Sequence, residues 1–155
     1  MPIITARDVL RLHWDNSLPV DLIGIANRLG VVTFASSDLT SSGHYTPAKE
    51  GQRALIEYNA HEHPVRQRFT IAHELGHHVL HNGERDRELP CDFTMGGSQE
   101  EREANQFAAE LLMPEDAVNV LVRIKNVVAV PELAKIFGVS YSAMRWRLHN
   151  LGYNV

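Results

Sequence analysis

The sequence predicts an α+β fold, with a small β-sheet packed beside a helical body. Three observations carry this. Apolar residues recur at steps of three and four from Val65 to Val79, which is helical spacing. Short β-branched and aromatic runs fall between Val31 and Tyr58, which is strand composition. At 155 residues, 44% hydrophobic and 22% charged, the chain can bury a sizeable core without repeats or low-complexity segments. The expected organisation is a single domain over 1–155, with 117–155 as a helical sub-domain.

Each element has a local reason. Asp8 to Leu12 and Asp21 to Leu29 read as helices, the second stopped by Gly30. Val31 to Phe34 reads as a strand, and Ser36 to Gly43 as a polar loop. Extended pieces around His44 to Thr46 and Arg53 to Tyr58 flank Gly51, as a hairpin would. Pro64 suits a first helical position, where its missing N–H costs nothing. From there Val65, Phe69, Ala72, Gly76 and Val79 keep helical spacing. A connection from Asn82 to Gly97 reads as a loop, long enough to act as a lid or binding loop. Ser98 to Glu101 reads as a capping box, with Glu101 reaching back to Ser98, and opens a helix that stops near Met113 before Pro114.

The Pro64 helix carries His73-Glu74-Leu75-Gly76-His77, an H-E-x-x-H motif. Two histidines four apart project from one side of a helix and can hold one metal ion. The glutamate between them points to a neighbouring arc, toward water rather than metal. These are the parts of a peptide-bond hydrolase. A catalytic zinc generally has three protein ligands. A histidine six residues beyond the motif is excluded, because that position is Gly83. On the following helix Glu103, Phe107 and Glu110 share a stripe beside the apolar arc, which makes Glu103 a candidate. Glu100 and Glu110 are rivals, and His81 is a weaker one.

Two longer segments add a resemblance. Arg66 to His81, which contains the motif, and Glu101-Arg102-Glu103-Ala104-Asn105-Gln106-Phe107-Ala108-Ala109-Glu110-Leu111-Leu112-Met113-Pro114 resemble the signatures of the ImmA/IrrE metallo-endopeptidases. Pro19 to Leu22, with Ile25-Ala26 and Leu29-Gly30, is similar to that family's opening helix. The resemblance implies a minimal zincin-like fold with helix-turn-helix-like C-terminal helices. It implies zinc on His73, His77 and Glu103, with Glu74 as general base; manganese, cobalt or iron also suit such ligands. It further implies an endopeptidase acting on a regulatory protein, a helix-turn-helix transcriptional repressor, as in phage-like elements, stress responses and toxin–antitoxin-like pairs. Tyr45, Tyr58, His61, His63 and His78 are candidate oxyanion donors, and Arg53 to Tyr58 is the candidate sheet edge for an extended substrate. The alternatives are a toxin-like module that works by binding its partner, and a DNA-binding regulator.

That last alternative rests on the C-terminus. Pro131 to Phe137, the turn Gly138-Val139-Ser140 and Tyr141 to Leu148 have helix-turn-helix form. Residues 1–116 hold ten basic and eighteen acidic side chains, a balance of −8, whereas residues 117–155 hold five and one, a balance of +4. This asymmetry supports the alternative of nucleic-acid binding through 130–149. The net charge of −4, and a second helix lined by only Arg145 and Arg147, favour packing or protein docking instead. The single Cys91 excludes an intramolecular disulfide and reads as an incidental loop residue. With no signal peptide and no apolar run of membrane-spanning length, the expected location is the cytoplasm, away from any membrane.

Overall fold

The computed structural model describes residues 5–81, 85–87 and 97–155. Cys91 and most of the connection between Asn82 and Gly97, on which the lid reading falls, lie outside the described residues. Three residues of that connection are not loop, since Arg85–Arg87 pairs as a strand.

Helices and strands begin and end on local chemistry. Helix α1 (Ala6–His13) opens on a capping box in which Thr5 and Asp8 exchange side-chain and backbone hydrogen bonds. Helix α2 (Leu22–Arg28) is capped by Asp21, whose carboxylate accepts from the Gly24 N–H at 3.0 Å. Three strands follow, β1 (Val31–Ser36), β2 (Gly43–Thr46) and β3 (Ala54–Asn59). Helix α3 (Pro64–Leu80) starts at its proline, and β4 (Arg85–Arg87) comes next. Helix α4 (Gln99–Leu112) is capped by Ser98 and ends before Pro114. A short α5 (Glu115–Asn119) passes into a π-helical turn (Val120–Ile124). The chain closes with α6 (Val130–Phe137) and α7 (Tyr141–Asn150). The α+β expectation holds.

The sheet order is β1-β3-β2-β4. Strand β3 runs parallel to β1 and antiparallel to β2, with Ile56 opposite both Thr33 and Tyr45. The expected docking edge is therefore corrected: Ala54–Asn59 is paired on both sides, and the edges are β1 and β4. A hairpin reading of the sequence pairs β2 with β3 but has no means of finding the return of β3 to β1. One sheet face buries Val31, Tyr45, Ala54 and Ile56; the other exposes Val32 and Phe34. The buried face joins Phe69, Ala72 and Leu75 of α3, Phe107, Leu111 and Leu112 of α4, and Leu133, Phe137, Met144 and Leu148 of α6 and α7 in one apolar cluster.

Two arginines, the half-buried Arg68 and the buried Arg147, tie the C-terminal helices to α3 and α4. Arg68 of α3 donates to the carbonyls of Gly138 (3.3 Å) and Phe137 (3.5 Å) in the α6–α7 turn. That turn needs glycine, because Gly138 sits at φ +67° and a Cβ there would meet Arg68 Nε at 2.7 Å. Arg147 of α7 is buried and donates through Nε to the Met113 carbonyl at the end of α4, 3.0 Å away. Arg147 therefore does not line the outer face of the helix-turn-helix-like pair, as the sequence reading had it. That face keeps Tyr141, Ser142, Arg145 and His149. Among the described residues no helix is long and apolar enough to cross a membrane.

The buried arginine should be the costly one. Arg147→Ala strands the Met113 carbonyl and should lower unfolding free energy by about 1–3 kcal/mol, whereas Arg145→Ala should change it by no more than about 0.5 kcal/mol. Urea denaturation of the two variants measures both; equal losses would contradict the placement.

Candidate metal centre

The centre lies in the seam between α3 and α4. On α3, every residue from Phe69 to His77 is buried. His73 and His77 stand one turn apart on the side facing α4. Gly76 lets α4 close on that side. A Cβ there would meet Ala104 Cα at 3.1 Å, Ala104 O at 3.2 Å and Phe107 Cβ at 3.2 Å. Backbone thus packs nearly on backbone, and the first turns of α4 fall within reach of the histidines.

Three polar groups converge in this seam. His73 Nε2 and His77 Nε2 are 3.1 Å apart. Glu101 places Oε2 3.1 Å from His73 Nε2 and Oε1 2.9 Å from His77 Nε2. Ligand atoms about 2.0–2.1 Å from a tetrahedral zinc are about 3.3 Å from one another. The three spacings come close to one face of such a tetrahedron. The far side of the His73 ring is also fixed, because Nδ1 lies 2.8 Å from Asn105 Oδ1. An amide oxygen can only accept, so Nδ1 carries the hydrogen and Nε2 presents its lone pair. Two imidazoles and a carboxylate converging with their acceptors inward fit a divalent cation.

The sequence-predicted residues divide accordingly. His73, Glu74 and His77 come together, their ligand atoms within 4.8 Å of one another. Glu103 does not join them. Its carboxylate side chain is 47% exposed and bonds His81 Nε2 at 2.9 Å. Helix geometry explains the separation, since residues two apart on an α-helix point about 200° apart, so Glu101 and Glu103 cannot both face the histidines. Glu101 keeps only half of its expected capping box. Its N–H is capped by Ser98 Oγ at 3.2 Å, while its carboxylate turns to the histidine pair. Glu110 lies about 13 Å further along α4, beside Arg147. Glu100 groups with His77 and His81 instead. Sequence reasoning missed Asn105, although Glu101 and Asn105 repeat the four-residue spacing of His73 and His77.

Glu74 is buried next to this cluster. Among the oxyanion-donor candidates, the Tyr45 phenol feels the Glu74 charge. Burial first, and then that charge, push its pKa up, so the hydroxyl stays protonated. It lies 2.7 Å from His78 Nδ1, and burial lowers the pKa of that imidazole. His61 and His63 sit exposed at the start of α3, where His63 caps the Val65 N–H. That is about 15 Å along the helix from His73.

Residues 26–149 match the family model described as the IrrE N-terminal-like domain, peptidase M78. The match takes in both ligand helices and α6–α7, and begins within α2. No curated protein matches the chain.

The seam has no room for a side chain at position 76. Gly76→Val should force α4 outward and lower unfolding free energy by about 1–3 kcal/mol. Valine has the better helix propensity, so a chemical-denaturation midpoint at or above that of the parent protein would show that the two backbones are not in contact.

Proposed function

The chain belongs to the peptidase M78 family of IrrE N-terminal-like domains, and from that premise we propose a zinc-dependent endopeptidase whose metal is held by His73, His77 and Glu101. The observation that carries this reading is the convergence of the two Nε2 atoms and one carboxylate at 2.9–3.1 Å. Manganese or another divalent ion suits the same donors. A divalent ion there would polarise a carbonyl and lower the pKa of water. The chain's own groups supply the rest. Glu74 takes a proton from the water whose oxygen bonds to the scissile carbon. It delivers that proton to the amine as the C–N bond breaks. Tyr45, aligned by His78, is the donor suited to the developing oxyanion. Asn105 keeps the His73 ring turned toward the seam.

The substrate we propose is a helix-turn-helix transcriptional repressor, and the location the cytoplasm. The family resemblance of Arg66 to His81 and Glu101 to Pro114 supports the first, and the single cysteine the second. Direct nucleic-acid binding through 130–149 loses support from the burial of Arg147.

Metal titration against a chromogenic chelator separates the two glutamates. Glu101→Ala should lose most of the affinity at His73 and His77, and Glu103→Ala should keep one equivalent bound. The reverse order would return the third position to Glu103. Chemistry is separated from binding by Glu74→Gln, which keeps side-chain size but removes the base. Metal content should persist while cleavage of a repressor substrate falls by about 100-fold or more. Undiminished cleavage would remove Glu74 from the reaction.

A further inference from the structure

We propose that Glu103 and His81 form a hydrogen-bond relay that fixes the tautomer of His77 and so sets how tightly the centre holds its metal. The proposal rests on the metal reading above. It gives a role to two residues which that reading leaves without one.

The relay is continuous. Glu103 Oε1 lies 2.9 Å from His81 Nε2. His81 Nδ1 lies 3.0 Å from His77 Nδ1. His77 Nε2 then faces His73 Nε2 and Glu101. Donor and acceptor roles follow from one end to the other. An ionised carboxylate only accepts, so His81 Nε2 carries its ring's hydrogen. A neutral imidazole has one N–H, so His81 Nδ1 is left as an acceptor. His77 must therefore donate from Nδ1, which bares the Nε2 lone pair toward the seam. Asn105 imposes the same tautomer on His73 with a single bond. The centre thus has two ring-orienting arms. The Asn105 arm is buried, while the His77 arm passes through a His81 side chain only 11% exposed and ends in solvent at Glu103.

Outer partners of ligating histidines are generally worth 10–100-fold in metal affinity. His81→Leu removes the acceptor and should weaken metal binding by about 10–100-fold. His81→Asn is the diagnostic variant. An asparagine can place an amide oxygen where Nδ1 stands, which is how Asn105 serves His73. It should bind metal at least about 10-fold more tightly than His81→Leu, and it cuts Glu103 out of the chain. Glu103→Ala should therefore weaken binding in the parent protein by about 10-fold and have no effect in the His81→Asn background. Urea unfolding of the metal-free variants, alongside the chelator competition, checks that affinity changes are not unfolding.

Three results overturn the relay. If His81→Asn binds no more tightly than His81→Leu, an acceptor at this position does not matter. If Glu103→Ala acts equally in both backgrounds, it does not work through His81. Two metal equivalents, one lost in His81→Leu, would make His81 a ligand instead. Loss of all binding in Glu103→Ala, with Glu101→Ala still loaded, is a different failure: it overturns the ligand assignment on which the relay rests.

Discussion

The convergence of three acceptors in the α3–α4 seam is the constraint on which the rest of the structure depends. Two bare Nε2 atoms and a carboxylate within 3.1 Å of one another are a poor arrangement for any buried site without a positive charge between them. The fold nevertheless builds it with care. Gly76 gives up a side chain to bring α4 onto α3. Asn105 and His81 turn the rings from behind. Because binding a cation relieves the crowding of acceptors, loading and stability should be coupled in this protein.

The same two helices are held from their far side. Arg68 reaches from α3 to the α6–α7 turn, and Arg147 reaches from α7 to the end of α4. Each arginine gives up much of its hydration to satisfy a carbonyl, and burial lowers the pKa of both. The helix-turn-helix-like pair thus serves as a brace behind the ligand helices, sharing their apolar cluster through Phe137, Met144 and Leu148. A segment with the outward form of a nucleic-acid reader spends one of its two arginines on the interior.

What could be read from the sequence is what local chemistry determines. The proline at the start of α3, the serine before α4, Gly138 and the H-E-x-x-H spacing each specify their surroundings within a few residues. The small sheet on a helical body was legible for the same reason. Which α4 glutamate faces the histidines was not, because it depends on the rotation of α4 about its axis, which the contact at Gly76 sets from another element. A capping box and a contact with the histidines place the same demand on the sequence at Glu101, and only the packing shows that its carboxylate turns to His73 and His77. The strand order failed for a related reason: nothing local to Ala54–Asn59 records that β1 lies on its other side. Arg147 looked solvent-facing because its carbonyl partner is 34 residues away.

Anomalous diffraction from crystals of the zinc-loaded protein tests the central claim most directly. A single peak should lie within coordination distance of His73 Nε2, His77 Nε2 and a Glu101 carboxylate oxygen, with the His81 and Glu103 side chains behind His77 and outside that distance. A peak bonded to Glu103 or His81, with Glu101 turned back to Ser98, would contradict it.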